Sequence, residues 1–168
     1  MPIRQIRQAH YKQAQGKQKI TPFLWFDKEA EDAAKFYTSV FKNGKITHVT
    51  PGPNGIAMWV SFELEGQIFY ALNGGPQYKF TEAISLFVDC EDQSEVDELW
   101  NKLISDGGAE SQCGWLKDKY GLSWQIIPKA LSQLLSDPDP EKSGRVMQAM
   151  LKMKKIIVAD LQKAHDGQ

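Results

Sequence analysis

The residues with chemistry to offer are few: two thiols, three imidazoles and one well-placed amide. Cys113 is the candidate nucleophile. A reactive cysteine needs its pKa lowered by a helix N-terminus, a histidine or a lysine. Lys117 and Lys119 are near in sequence, but no histidine is. The ordinary reading of such a thiol is a small buried hydrophobe, and it applies to Cys90 with more force. His10, His48 and His165 fall in an N-terminal arm, beside a loop and at the tail, without metal-ligand spacing. Gln125 is different. It sits near the end of an apolar strand arm, where its amide is expected to point into whatever the sheet encloses.

That arm belongs to Cys113-Gly-Trp-Leu-Lys-Asp-Lys-Tyr-Gly-Leu-Ser-Trp-Gln-Ile-Ile-Pro128, which reads as a hairpin. Trp115 to Tyr120 alternate large and charged residues. Tyr120-Gly121 supplies the turn. Leu122 to Ile127 is rich in strand-forming residues, and Pro128 ends it.

The elements upstream come in a repeated order. Ile20 to Phe26 predicts a strand, with Asp27 as the N-cap of the next helix. Ala30, Ala33, Ala34, Tyr37 and Phe41 give that helix over 28–41, stopped at Asn43-Gly44. Strands are expected over 45–50, 56–64 and 67–72. The stretch 73–81 is a connection without the context of a phosphate-binding loop. A strand is expected over 83–89. Asp92 and Glu95 then form a capping box before a helix carrying Val96, Leu99, Trp100 and Leu103, which ends at Gly107-Gly108. Ile20 and Ile84, and likewise Gly44 and Gly108, lie 64 residues apart. A βαβββ unit repeated at fixed offset is a duplication. The expected class is therefore α+β: paired βαβββ modules forming a curved mixed sheet around one cavity, with a C-terminal helical extension. The expected divisions are a basic arm over 1–19, a two-module domain over 20–128 (20–73 and 83–128), and C-terminal helices over 129–168. In that extension a helix from Glu141 to Ala164 places Val146, Met150, Met153, Ile157 and Leu161 on one seam.

Composition limits the partners. The chain has 168 residues and a formal net charge of −1, so no global field recruits nucleic acid or an anionic membrane. No apolar run approaches the roughly 20 residues of a bilayer span. Residues 1–18 hold five Gln and four Lys or Arg with no acidic residue, and lack the apolar core of a secretory signal. Two cysteines make no disulfide framework, and a cytoplasmic setting is expected.

The residues Ile20-Thr-Pro-Phe-Leu-Trp-Phe-Asp27, Phe36-Tyr37, Val40-Phe41, Asn73-Gly-Gly75, Ile84-Ser-Leu86, the 113–128 block and Ala149-Met-Leu-Lys-Met-Lys-Lys155 resemble the PhnB-like branch of the vicinal oxygen chelate superfamily. This superfamily includes glyoxalase I, bleomycin-resistance proteins and extradiol dioxygenases. The branch is often labelled 3-demethylubiquinone-9 3-methyltransferase. Metal enzymes of the superfamily hold a divalent ion with four His, Glu or Gln side chains from the first and last strand of each module. The resemblance puts Thr21, Tyr70, Ser85 and Gln125 near those positions. Hydroxyls, a phenol and a neutral amide are poor ligands for Zn²⁺ or Ni²⁺. No metal and no cofactor are expected, and no Gly-rich nucleotide unit for methyl transfer is visible.

What remains is a cavity expected to be walled by Phe23, Trp25, Trp59, Phe69, Tyr70, Trp115 and Trp124, with Thr21, Asn73, Ser85 and Gln125 as its polar groups. This predicts a metal-independent small-molecule binding protein acting as a homodimer through its C-terminal helix. The alternatives are an enzyme of the superfamily using a metal or Cys113, the labelled methyltransferase, and a dimeric interaction module with a vestigial pocket.

Overall fold

A computed structural model describes residues 18–168; the basic arm and His10 lie outside the described residues, apart from Gln18 and Lys19. The chain divides between Tyr78 and Lys79 into two compact units.

In the first unit the strands are β1 (Phe23–Phe26), β2 (Lys45–Pro51), β3 (Ala57–Leu64) and β4 (Gln67–Asn73), with helix α1 (Ala30–Val40) after β1. Their order in the sheet is β1-β4-β3-β2. β1 runs parallel to β4 and the other pairs are antiparallel. One face of this sheet is covered by α1. The helix can come close because Ala30, Ala33 and Ala34 have no exposed surface at all, and Tyr37 sits 6.0 Å from Phe62. Fully burying a side chain such as Phe62 stabilises by about 1.5–3 kcal/mol. Asp27 is not the cap of α1. Asn73, at the end of β4, places its Oδ1 2.8 Å from the N–H of Ala30, and its Nδ2 donates to the Ala57 carbonyl at 2.8 Å. A neighbouring strand thus supplies the acceptor that the local sequence was expected to give. β1 begins only at Phe23, since Pro22 has no N–H for a ladder, and Ile20 is exposed.

The second unit repeats this plan. Its elements are β5 (Ser85–Cys90), α2 (Gln93–Leu103), β6 (Ala109–Glu110), β7 (Trp115–Lys117) and β8 (Ser123–Pro128), in sheet order β5-β8-β7-β6. Asp92 accepts from the Glu95 N–H at 2.9 Å, and the Glu95 carboxylate reaches back to the N–H of Glu91, one residue before the cap, so the pair works as a capping box shifted by one residue. The glycines that marked the repeat do the same job twice. A Cβ on Gly44 would lie 2.6 Å from the Thr38 backbone, and one on Gly108 2.5 Å from that of Ile104. The architecture is α+β with two four-stranded mixed sheets, where one curved sheet was expected.

The C-terminal region departs most from expectation. Three helices come after β8: α3 (Lys129–Leu135), α4 (Pro140–Met150) and α5 (Val158–Asp166). The single long helix is broken over 151–157. The hairpin and α2 claim that segment. Cys113 and Gly114 donate their N–H groups to the carbonyls of Met153 and Lys154 at 2.8 and 2.7 Å. Gln93 donates to the Ile156 carbonyl at 3.1 Å and accepts from the Val158 N–H at 2.7 Å. These tertiary bonds outweigh the helix propensity of the Lys-rich stretch. The chain then doubles back, and Ile127, Leu131, Val146, Ile156 and Leu161 close into one buried cluster. Ile156, not Ile157, enters the core, and Met150 and Met153 border it. The predicted seam is therefore covered by its own unit.

Candidate functional site

Strand parity decides which side chains can meet, because adjacent residues point to opposite faces. In the first sheet the ladder puts Phe23 and Trp25 of β1, Tyr70 and Leu72 of β4, and Trp59 and Ser61 of β3 on the face opposite α1. Phe23 and Trp59 are nearly coplanar in orientation with ring centres 6.5 Å apart. Tyr70 meets both edge-on, 5.9 Å from Phe23 and 4.7 Å from Trp59. These offsets suit the quadrupoles of the rings. A bulge in β2 sets Thr47 and His48 against Ser61. The hydroxyls of Thr47 and Ser61 then lie 2.7 Å apart, and the His48 ring centre 6.4 Å from that of Trp59. His48 thus lies within a strand, with its Nε2 3.1 Å from the Thr50 hydroxyl.

Other candidates of the first unit have structural duties. Thr21 accepts from the Gln18 amide at 3.4 Å, and that amide also brackets the backbone N–H and carbonyl of Ile68. Trp25 donates its indole N–H to the Gly75 carbonyl at 2.8 Å and meets Tyr78 edge-on at 5.0 Å. A Cβ on Gly74 would come within 2.3 Å of the Trp25 ring, so the connection after β4 is moulded on that indole. Asn73 points to the helix side and has both ends of its amide engaged. Phe69 is likewise on the helix side, stacked on Phe62 at 5.3 Å. Neither belongs to the open face.

In the second sheet the face opposite α2 carries Ser85 and Phe87 of β5, Ser123, Gln125 and Ile127 of β8, and Trp115 and Lys117 of β7. Gln125 donates its amide to the Ser85 hydroxyl at 2.8 Å. Trp115 is its ladder partner on one side and Phe87 on the other. Phe87 is 58% exposed, unusual for a phenylalanine in a strand. Lys117 pairs with Glu82, and the hydrogen bond from the ammonium lowers the Glu82 pKa. Trp124 is one residue from Gln125 and so faces the helix. It is 2% exposed and donates to Asp118 Oδ2 at 2.9 Å, so it belongs to the core.

The thiols separate clearly. Cys90 is fully buried, and burial, reinforced by the nearby Glu95 and Asp89 charges, pushes its pKa up to about 12. Such a thiol is inert. Cys113 is half-buried in a left-handed turn with φ 57°, and its N–H is held by Met153. Among the described residues no histidine is a hydrogen-bond partner of Cys113. The set Thr21, Tyr70, Ser85 and Gln125 does not suit a divalent metal. All four are neutral, and Gln125 and Ser85 are bonded to each other. Nor do the β1–α1 and β5–α2 connections, 27–29 and 91–92, contain the glycines of a nucleotide cradle. Among the described residues no helix is long and apolar enough to cross a membrane.

His48, Ser61, Phe87 and Ser123 were not among the predicted site residues. Parity could have found three of them, since Ser61 is two residues from Trp59, Phe87 two from Ser85 and Ser123 two from Gln125.

A model of the 3-demethylubiquinone-9 3-methyltransferase family matches residues 18–127. Among solved structures, the PhnB protein from Bacillus cereus, which carries the same methyltransferase label, is 36% identical over 66% of this chain and 99% of its own, with a TM-score of 0.62. Protein PA1353 from Pseudomonas aeruginosa is 16% identical over 67% of this chain and 98% of its own, with a TM-score of 0.57. The fosfomycin resistance protein FosX from Listeria monocytogenes is 13% identical over 70% of this chain and 98% of its own, with a TM-score of 0.52. The last two likenesses are of fold. No curated protein sequence is similar enough to count as a match.

Proposed function

This chain belongs to the PhnB-like family labelled 3-demethylubiquinone-9 3-methyltransferase, within the glyoxalase/bleomycin-resistance fold, and from that premise we propose that it binds a small organic molecule without a metal. The observation that carries this reading is the Ser85–Gln125 pair. Two polar side chains stand on the sheet face opposite α2, between Trp115 and Phe87, with the C-terminal helices packed on that face at Ile127. Aromatic walls with a few fixed polar groups suit small-molecule recognition. The aromatic group of Phe23, Trp59, Tyr70 and His48 gives the first sheet a matching character. Sequestration or sensing needs no more than this. Methyl transfer draws no support from the strand-to-helix connections, and among the described residues no histidine is hydrogen-bonded to Cys113.

The test is native mass spectrometry of gently purified protein to identify any copurified small molecule, followed by titration of that molecule. Ser85→Ala and Gln125→Leu should each weaken binding by about two- to twelvefold, the range for one lost neutral hydrogen bond. Equal affinity in both variants would remove these residues from the site.

We further propose a second copy of the chain as partner. Ile20, Phe23, Ile84 and Phe87 leave large apolar surface exposed on and beside the edge strands β1 and β5, and such edges favour association. We do not assign the C-terminal helices a part in that contact, since Val146 and Leu161 of the expected seam are buried within the unit and Met150 and Met153 pack against them. Light scattering that gives a monomer at micromolar concentration would refute the dimer. Neither nucleic acid nor membrane is proposed as a partner. Free Cys90 and Cys113 are consistent with a cytoplasmic setting.

A further inference from the structure

Ser123 is the one buried side-chain polar atom among the described residues that has no hydrogen-bond partner. The residue is 1% exposed. A buried hydroxyl left unpaired is costly, and each such group calls for a physical reason. The ladder shows its surroundings. Ser123 is the direct partner of Ser85 on one side and of Lys117 on the other, and precedes Gln125 by two residues on the same face. It therefore lies at the base of the Ser85–Gln125 pair.

The hydrogen-bonding capacity of that group is specific. Gln125 gives an N–H to Ser85 Oγ, so the Ser85 hydroxyl proton is directed elsewhere, as a donor. The Gln125 carbonyl oxygen accepts nothing among the described residues, so it stands as an acceptor. Ser123 can do either. Among the described residues this face offers no free positive charge. Lys117, the cation of this face, is paired with Glu82, and Asp89 lies further along β5 on the same face. An anion entering here would meet no free positive charge and one carboxylate.

We propose that Ser123 is a third polar contact of this site and that its ligand is a neutral, flat molecule carrying a donor and an acceptor side by side, of the carboxamide or lactam class, rather than a carboxylate or phosphate. The inference rests on the small-molecule reading of the Ser85–Gln125 face. Benzamide supplies the paired donor and acceptor on an aromatic ring, benzoate is its anionic counterpart, and toluene keeps the ring alone.

The experiment tracks ¹H–¹⁵N spectra of the full chain, with the Gln125 side-chain amide and the Trp115 indole as reporters, while each probe is titrated to millimolar concentration. Benzamide should shift both reporters, and benzoate and toluene should require several times higher concentration. Ser123→Ala should weaken benzamide binding by about two- to twelvefold. Because the hydroxyl is unpaired in the free protein, the same variant should unfold no more easily than wild type. Benzoate binding as well as benzamide, or unchanged benzamide affinity in Ser123→Ala, overturns this inference while leaving the small-molecule reading standing. Silence of both reporters toward all three probes overturns the inference and the reading beneath it. A Ser123→Ala variant less stable than wild type also overturns it, because the hydroxyl would then have a partner inside the fold.

Discussion

Replacing Asp118 by alanine should be among the most damaging single changes in the second unit. Asp118 is a charged residue at 3% exposure, and its carboxylate organises the turn between β7 and β8. Oδ1 accepts from the N–H groups of Tyr120 at 2.8 Å and Leu122 at 3.1 Å, and Oδ2 from the indole of Trp124 at 2.9 Å. In Asp118→Ala the Tyr120 N–H can turn to water, since that residue is half-buried. The Leu122 N–H and the Trp124 indole cannot, because both residues are at most 2% exposed. Each orphaned donor costs about 1–3 kcal/mol, so the expected loss is about 2–6 kcal/mol. That is a large share of the roughly 5–15 kcal/mol that holds a domain together. Asp118→Asn keeps one acceptor oxygen and should lose about half as much. The assay is urea unfolding monitored by far-UV circular dichroism, run as a double-mutant cycle with Trp124→Phe. In the Trp124→Phe background the indole donor is gone, and Asp118→Ala should cost about 1–3 kcal/mol less. A loss under about 0.5 kcal/mol in Asp118→Ala, or an identical loss in both backgrounds, would refute the reasoning.

Other expectations are separately measurable. Gln93→Leu removes both bonds that pin 156–158, and should speed amide exchange through α5 while leaving β1–β4 unchanged; equal protection across α5 would contradict the pinning role. His165 is held between Asp166 at Nδ1, 3.0 Å, and Asp137 at Nε2, 2.8 Å, and these hydrogen bonds raise its pKa. A raised folded pKa means that its contribution is fully present below the unfolded value of about 6.5 and fades as pH rises through the folded one. The pKa of Asp137 is lowered first by the Asp139 backbone N–H and then by His165, so its contribution is present above about 3.9 and fades as pH falls through its folded value. His165→Gln should therefore flatten the alkaline decline in thermal stability, and an unchanged profile would exclude this role for His165. Cys90, with its thiol near 12, should resist alkylation at pH 8 until the protein unfolds, and native labelling at Cys90 would contradict its burial.

The repeat was legible because its marks are backbone requirements. Gly44 and Gly108 stand where a Cβ would strike the preceding turn, and that constraint is written one residue at a time. The capping box at Asp92 and Glu95 was legible for the same reason. The site was legible only in part. Ser85, Gln125 and Trp115 do share a face, and Phe23 and Tyr70 do meet. Trp124 and Phe69 were grouped with residues adjacent to them in sequence, and alternation forbids that. Asn73 was read as a ligand group because nothing local shows that a strand end will cap a helix begun 43 residues earlier. In the sequence Asp118 is one of the charged residues alternating along its arm, and nothing there marks it as buried. The break in the C-terminal helix was least legible, because its causes, Gln93 and the Cys113–Gly114 turn, lie far upstream.

The Cys113–Gly114 turn has a consequence for synthesis on the ribosome. Both residues hold left-handed backbone angles with their N–H groups turned toward Met153 and Lys154. Until those carbonyls emerge, the turn has two unmatched donors and the hairpin is open on that side. Gln93 waits longer still, for Ile156 and Val158. The four strands and helix of the first sheet, by contrast, are all encoded before Tyr78. Vectorial synthesis therefore delivers a complete first sheet while the second remains a set of unfinished parts. Residues 153–158, made after every strand of the second sheet, are the ones that fasten it, and a ribosome stalled short of residue 153 would display a finished half joined to an unfinished one.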